Sequence, residues 1–311
     1  MTRTSTAPRN SPAWAFDAYQ SVRHRLPQTH GPAGSDSADD LLALRDRFDI
    51  FLLDAFGVLN VGETAIPGAA DHVAALQAAG KHVMVVSNAA GYPKRFLLAR
   101  LQRLGFAFGP DQVLSSRDVL LAALPQQAPC HWGLMAEARY GLEELDGMTA
   151  TLLADDPAAY DAAQGFAFLG SGSWTAARQR LLTDSLRRNP RPVLVGNPDL
   201  VAPREGGLSL EPGYFAHQLA DETGLKPVFF GKPYPAIFDM ALARARKARP
   251  DVTDPARIVM VGDTLHTDIL GGAAAGLKTA LITGYGALRG MDVAAAIHTA
   301  GIVPDIILPA P

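Results

Sequence analysis

Two carboxylates five residues apart, Asp263 and Asp268, follow the apolar segment that begins at Ile258. The segment has the composition of a strand and a helix is predicted from about His266, so both carboxylates can face one hard cation. Mg²⁺ is held in proteins by one or two carboxylates together with water and substrate phosphate. Helix capping by Asp263 and first-turn stabilisation by Asp268 would explain the same residues without a metal. The sequence has four sets of residues that could form a catalytic or binding site, and the spacing of this pair is the most specific of the four.

A third carboxylate, Asp54, ends the apolar run that starts at Ile50, and Gly57 follows it in the next turn. A carboxylate in this position is exposed at the edge of a sheet, where it can act as a nucleophile or as a metal ligand. An Asp that only caps a turn is the commoner occurrence. Asp54 taken alone therefore does not indicate a site.

The two remaining sets carry groups that bind anions. Ser87 and Asn88 follow an apolar run that begins at His82 and offer a hydroxyl and an amide to phosphate oxygens. Such residues also cap ordinary strand-to-helix turns. Lys232 lies just before a helix predicted from Pro235. The positive charge of a lysine there opposes the helix dipole, which is unfavourable for a structural residue and favourable for one that binds an anion. Taken alone, a solvated lysine in a turn is an equally good interpretation.

All four sets lie at the ends of predicted strands, in a chain that alternates strand and helix patterns from Asp39 onward. Near-continuous apolar strands between amphipathic helices predict an α/β fold with a Rossmann-like parallel sheet, which binds ligands at the carboxyl ends of its strands. The predicted helices are Leu41–Phe48, Ala69–Ala79, Lys94–Leu104, Ala236–Ala248 and His266–Ala275. The predicted strands are Ile50–Asp54, His82–Ser87, Val228–Phe230, Ile258–Asp263 and Lys278–Thr283.

The middle of the chain has shorter elements and is predicted to be a second α/β domain inserted into the first. We expect residues 130–226 to form this domain, residues 37–129 and 227–311 the core, and residues 1–36 an N-terminal arm. Within the arm, Trp14, Tyr19 and Val22 recur at helical spacing, which predicts a short helix that docks on the body. The strand candidates of the insert are His131–Met135, Thr151–Leu153, Phe166–Leu169 and Pro192–Val195, and its helix candidates are Tyr140–Leu145 and Trp174–Arg188.

Composition and charge argue against several classes of function. The 311 residues carry 28 basic and 31 acidic side chains, a net charge of −3, which gives no reason to expect nucleic-acid or membrane binding. No apolar run approaches the roughly 18 residues of a membrane span. The one cysteine, Cys130, rules out an intramolecular disulfide framework, and no signal-peptide core is recognisable. We expect a cytoplasmic protein and leave a homodimer open.

Taken together, the four sets resemble the haloacid dehalogenase (HAD) superfamily of hydrolases, whose motifs occur in this order along the chain. The resemblance covers roughly residues 38–308. The position of the insert, after the Ser-Asn segment and before Gly-Lys-Pro, is similar to the type-IIA branch with a C2-type cap, the NagD-like sugar-phosphatase group. Gly196–Leu200, with Glu211–Gly213 after it, resembles that branch's segment at the end of the cap.

The resemblance implies a Mg²⁺-dependent phosphatase of a small phosphorylated metabolite. Asp54 would attack phosphorus and form an aspartyl-phosphate. Ser87 and Asn88 would hold the transferring group, and Lys232 would neutralise its charge. Phosphoryl transfer needs in-line positioning and charge neutralisation, which these residue types supply.

The resemblance also implies a metal site. Asp54, the backbone carbonyl of Phe56 and Asp263 would bind Mg²⁺. Asp268 would ligate it through water or orient the catalytic lysine. Substrate contacts would come from the inserted domain, where Asn197 and Asp199 flank the return to the core, although turn chemistry is the favoured explanation of an Asn-Pro-Asp sequence.

Phe56 departs from the family pattern. Phosphatases of the family carry a second Asp at this position, which protonates the leaving alcohol and later activates water. A Phe cannot transfer a proton, and such general acid–base help is worth about 10²–10⁴-fold in rate. His266 or Glu63 could replace it, but nothing in the sequence positions them. The alternative is a phosphometabolite-binding or regulatory protein that has kept the site and lost turnover.

Overall fold

The computed structural model describes residues 11–29, 31–126, 131–140, 142–145, 147–204 and 207–311. The α-helices of these residues are α1 Pro12–Ser21, α2 Ala69–Ala78, α3 Lys94–Arg103, α4 Ser116–Ala123, α5 Pro157–Ala162, α6 Ala176–Arg188, α7 Pro212–Thr223, α8 Pro235–Ala248, α9 Leu270–Ala274 and α10 Val293–Ala300. The strands are β1 Asp36–Ser37, β2 Ile50–Leu53, β3 Asn60–Val61, β4 Thr64–Ala65, β5 His82–Ser87, β6 Val113–Ser115, β7 Trp132–Met135, β8 Ala150–Leu152, β9 Gly165–Phe168, β10 Val193–Val195, β11 Val201–Arg204, β12 Gly207–Leu210, β13 Val228–Phe229, β14 Ile258–Gly262, β15 Lys278–Ile282 and β16 Ile306–Leu308.

The core is a seven-stranded parallel sheet in the order β1-β16-β15-β14-β2-β5-β6. Every residue of β2 and β14 is buried, because helices cover both faces of the sheet. Leu53 pairs with Val261 on one side and with Val85 on the other. The register therefore brings the ends of β2, β14 and β5 to one edge of the sheet, and the predicted α/β fold class is confirmed.

The inserted region forms a second parallel sheet, in the order β13-β10-β9-β7-β8. We refer to this sheet and its helices as the cap. β13 belongs to the cap because Leu194 pairs with Val228 and Val195 with Phe229. The expected return to the core at residue 227 is therefore too early, and the sheet pairing moves it past Phe229. The expected start at residue 130 lies outside the described residues, as does Cys130.

The N-terminal arm contains α1, which starts two residues before the predicted helix and is capped by the hydroxyl of Ser11 accepting from the N–H of Trp14. Tyr19 and Val22 are buried against core residues, so the arm is docked on the body. The expected arm ends too late at residue 36, because Asp36 pairs with Ile306 in the core sheet.

Two predicted helices are wrong. Leu41–Phe48 forms a short 3₁₀ turn over Leu42–Leu44, because the chain between β1 and β2 closes through i→i+3 bonds such as Leu44 N–H to Leu41 C=O. The described residues of Tyr140–Leu145 form turns, with Glu144 at a φ of 63°, a left-handed conformation that interrupts a helix. Within the described part of the chain, no helix has the length and apolar character needed to cross a bilayer.

Candidate active site

The ammonium group of Lys232 lies between two carboxylates at the edge of the core sheet. Its Nζ atom is 2.7 Å from Oδ1 of Asp54 and 2.7 Å from Oδ1 of Asp268. Lys232 and Asp268 are almost inaccessible, whereas 15% of the Asp54 side chain is exposed. Burial opposes the charge of the lysine, but Asp268 and Asp54 together raise the pKa of Lys232 above its usual value. The lysine therefore stays cationic beside the accessible Asp54 carboxylate.

Asp263 follows β14, and its carboxylate is fixed by the backbone around it. Its Oδ2 accepts the N–H of Ala287 at 2.7 Å, and its Oδ1 accepts the hydroxyl of Thr264 at 2.9 Å. Gly57 and Gly286 have φ angles of +73° and +78°, and a Cβ at either position would overlap this carboxylate. Both positions need glycine for conformation and for space. The loops after β2 and β15 thus determine where Asp263 points.

Asp54, Asp263 and Asp268 place carboxylate oxygens within 4.8 Å of one another. Burial raises the pKa of Asp54 to about 6 despite the opposing effect of Lys232, and burial with the neighbouring carboxylates raises the pKa of Asp263 well above its usual value. Crowded, desolvated carboxylates with hard oxygen donors fit a divalent cation such as Mg²⁺. Asp54 and Asp263 line the cavity, whereas Asp268 lies behind them, in contact with Lys232 and accepting the N–H of Thr264 at 3.1 Å.

The amide of Asn88 is bonded on both sides to protein. Its Oδ1 accepts the backbone N–H of Lys232 at 2.7 Å, and its Nδ2 donates to the Lys232 carbonyl at 2.9 Å and to Oδ1 of Asp199 at 2.8 Å. Ser87 ends β5, and its hydroxyl accepts the N–H of Ala89 at 3.3 Å. The hydroxyl proton of Ser87 can therefore turn toward the cavity, whereas the Asn88 amide holds the lysine.

The cap contributes a hydrogen-bonded turn to the same cavity. The Oδ1 atom of Asn197 accepts the N–H of Asp199 at 2.9 Å, and its Nδ2 donates to Oε2 of Glu211 at 3.2 Å. Burial raises the pKa of Asp199 to about 7, against the effect of the hydrogen bond from Asn88. Asn197 and Asp199 thus form the turn that their sequence favours, and they also line the cavity.

Phe56 lies two residues beyond Asp54, in the loop that precedes β3. The guanidinium carbon of Arg100, on α3, is 4.8 Å from the centre of the Phe56 ring. Arg100 also contacts Glu63, with Nη2 3.2 Å from Oε1. A cation stacked on an aromatic ring is stabilised by the ring's quadrupole. At the position where phosphatases of the family that this sequence resembles have an acid, this chain therefore has an aromatic ring stacked with an arginine.

Neither proposed replacement for the missing acid is suitable. His266 is 1% exposed, its Nε2 is 3.0 Å from Oε1 of Gln20, and burial lowers its pKa to about 3. Glu63 is 69% exposed at its side chain and ion-paired with Arg100 and Arg103. The predictions that either residue supplies the proton are not supported by these contacts.

Arg100 and the N-terminal residues were not predicted to be parts of the site. These side chains and the predicted ones other than Asp268 line one cavity of about 900 Å³ between the core and the cap. Phe16 and Tyr19 reach it from α1, and Arg100 from α3. The helical spacing in the arm was a signal that α1 docks, but nothing in the sequence indicates where.

Comparison with known proteins gives matches over most of the chain. A family described as haloacid dehalogenase-like hydrolase matches residues 51–145, and one described as HAD-hydrolase-like matches residues 229–308. Glycerol-3-phosphate phosphatase of Gallus gallus is 34% identical over 280 residues, which span 83% of this chain and 88% of that protein.

Solved structures give the same result. A possible sugar phosphatase of the HAD superfamily from Cytophaga hutchinsonii superposes with a TM-score of 0.77 at 25% identity, over 89% of this chain and 98% of that one. A glycerol phosphate phosphatase from Mycobacterium tuberculosis, in complex with magnesium, gives a TM-score of 0.66 at 25% identity, over 85% of this chain and 75% of that one.

Proposed function

Because this chain belongs to the haloacid dehalogenase superfamily and is a phosphoric monoester hydrolase, we propose that it is a Mg²⁺-dependent phosphatase whose nucleophile is Asp54. The observation that carries the proposal is the convergence of the Asp54 carboxylate, the Lys232 ammonium and Asp263 at one cavity wall. The substrate is a small phosphorylated metabolite, a class that the activity named for the Gallus gallus relative supports.

In the first step an oxygen of Asp54 attacks phosphorus, the bond from phosphorus to the substrate oxygen breaks, and an aspartyl-phosphate forms. The leaving oxygen departs as an anion and takes any proton it needs from solvent. Lys232 neutralises charge on the transferring group, and the Ser87 hydroxyl donates to one of its oxygens. Water then attacks phosphorus and releases inorganic phosphate and the Asp54 carboxylate. Asn88 positions Lys232, since both ends of its amide are bonded to protein.

Asp54 and Asp263 would hold the magnesium ion, with the Phe56 carbonyl as a third protein ligand and Asp268 acting through water or through the lysine. Bound magnesium would supply positive charge beside the phosphoryl oxygens. The crowding of three carboxylates supports this assignment, and so does the magnesium complex of the Mycobacterium tuberculosis relative. Calorimetry on the wild type and Asp263→Ala tests it, because equal Mg²⁺ binding by both proteins would contradict the ligand assignment.

Phe56 cannot protonate the leaving oxygen, so the best substrates are phosphorylated compounds whose leaving group needs little protonation. Acyl and aryl phosphates meet this condition, whereas alkyl phosphates such as glycerol phosphate are harder substrates for this chain. Initial rates of phosphate release from acetyl phosphate, p-nitrophenyl phosphate and glycerol 3-phosphate, with and without Mg²⁺, test this. Mg²⁺-dependent ligand binding with no phosphate release from any of the three compounds would favour a binding protein instead.

A further inference from the structure

Helix α1 presents one face to the catalytic cavity. Pro12, Ala15, Phe16 and Tyr19 line that cavity, and their spacing of three, one and three residues places them on a single side of the helix. Tyr19 is 7% exposed, and it packs in the same apolar cluster as Leu265 and Leu200. The helix is therefore part of the cavity wall and contacts both domains.

On the core side, α1 packs on the Asp263–Asp268 turn, which is π-helical from Leu265 and carries two of the carboxylates assigned to the metal site. His266 lies between Asp263 and Asp268 in that turn, and the ring of Tyr19 stacks on it with centroids 5.3 Å apart and an interplanar angle of 16°. Phe16 contacts the same ring edge-on at 5.4 Å. His266 is thus an attachment point for α1.

The neighbouring Gln20 fixes this attachment with polar contacts. Its Oε1 is 3.0 Å from Nε2 of His266, and its Nε2 donates to the carbonyl of Thr299 at 2.8 Å. One side chain thus ties α1 to the turn and to α10 of the core. Loss of Gln20 would loosen the turn without touching the cap.

On the cap side, the hydroxyl of Tyr19 accepts the backbone N–H of Leu200 at 3.2 Å. Leu200 directly follows Asp199, the cap residue bonded to Asn88. A second contact lies further along the arm, where Arg25 forms an ion pair with Asp221 on α7. Tyr19 therefore touches the cap turn through its hydroxyl and the core turn through its ring.

We propose that Tyr19 is a positioning residue that sets the distance between the cap turn at Asn197–Leu200 and the metal-binding turn at Asp263–Asp268. The cap is joined to the core by two chain crossings, and domains connected in this way move about their hinges unless a further contact restrains them. The bond from Tyr19 to Leu200 is such a contact, and it lies at the substrate cavity. The inference rests on the proposed function, because substrate affinity is where the restraint acts.

Tyr19→Phe tests the proposal, because it removes the hydroxyl and keeps the stacked ring. We expect KM for p-nitrophenyl phosphate to rise about 2–10-fold, the range for loss of one hydrogen bond, with kcat and the half-activating Mg²⁺ concentration unchanged. Gln20→Leu should have the opposite signature, with weaker Mg²⁺ activation and a smaller change in KM. Ser21→Ala is the matched control, since this exposed hydroxyl donates to the carbonyl of Ala18 within α1.

Amide hydrogen exchange of the same variants provides a readout that is independent of activity. Faster exchange over residues 197–201 in Tyr19→Phe, together with the rise in KM, supports the proposal. Faster exchange with an unchanged KM overturns it, because the bond would then be only structural. If the wild type releases no phosphate, the proposed function fails. In that case the amide exchange rates alone test whether Tyr19 links the two turns. Unchanged exchange rates in Tyr19→Phe would overturn the proposed link.

Discussion

The core wall and the cap wall of the cavity are held by different kinds of contact. On the core wall, Lys232 joins Asp54 and Asp268 through ion pairs of 2.7 Å, with 15% of the Asp54 side chain exposed and the other two side chains almost inaccessible. On the cap wall, Asn197 and Asp199 are held by hydrogen bonds to one another, and Asp199 also bonds to Asn88 of the core. A charged arrangement suits charge neutralisation during chemistry, whereas a hydrogen-bonded turn suits the placement of a substrate. Changes to the two walls should therefore affect different parameters.

The largest expected effect comes from Asp54→Asn, which removes the attacking group of the core wall. We expect turnover to fall by at least about 10³-fold, because an amide is a poor nucleophile and the second step has no acyl-phosphate to hydrolyse. Steady-state phosphate release with p-nitrophenyl phosphate measures the loss. Asp46→Asn, at a carboxylate that is 88% exposed, should leave the rate unchanged. A variant that kept most of its activity would show that another residue attacks phosphorus.

The next effect is a gain. Phe56→Asp should raise turnover of an alkyl phosphate by about 10–10³-fold, since a carboxylate there restores general acid–base catalysis in a pocket shaped for a ring. Aryl phosphates should gain less, because their leaving oxygen needs less protonation. Phe56→Asn is the control for size and polarity without a titrating proton. Equal alkyl and aryl gains, or none in a folded Mg²⁺-binding variant, would mean that the site lacks more than one group.

The cap wall should make the free energy of unfolding depend on pH, through Asp199. Burial raises the pKa of Asp199 to about 7 from an unfolded value of 3.8, so the folded protein binds a proton that the unfolded chain releases. The contribution of Asp199 to the free energy of unfolding is fully present below pH 4 and is lost as pH rises through 7. Asp199→Asn should abolish a change on the order of 2–4 kcal/mol in unfolding free energy over this range.

Urea unfolding of the wild type and Asp199→Asn from pH 4 to 8 measures the difference. Asp54 and Asp263 contribute in the same direction, because their pKa values are also raised, so the variant should reduce the slope and not remove it. Parallel pH profiles for the two proteins would place the titration on the core wall alone.

The smallest expected effect is at the surface contact between the arm and the cap. The Arg25 and Asp221 side chains are 28% and 63% exposed, so solvent and salt screen their attraction. Arg25→Gln should lower the unfolding free energy by no more than about 0.5 kcal/mol, and the difference should shrink further in 1 M salt. A larger loss in thermal denaturation would mean that the arm depends on this ion pair more than on the buried ring of Tyr19.

Most of the core could be predicted from the sequence, because short-range patterns determine it. The strand that precedes Asp263 is an uninterrupted apolar run, and parallel sheets gather strand ends at one edge whatever the loops between them. The partners of Asn88 could not be predicted, since they come from residues 111 and 144 positions away. The same holds for Arg100, whose helical position was predicted but whose stacking on Phe56 depends on a turn 44 residues earlier.

The edge strand β1 has a consequence for how the protein is made. In the core sheet β1 pairs with β16, so Asp36 and Ser37 meet Ile306 and Ile307. During synthesis the ribosome releases α1 and β1 well before β16, the sheet partner of β1. Chains fold from the N-terminus as they emerge, but a segment whose partner is still missing has to wait. We therefore expect the helix that completes the cavity to dock only after α10 has been synthesised, because Gln20 of that helix donates to the carbonyl of Thr299.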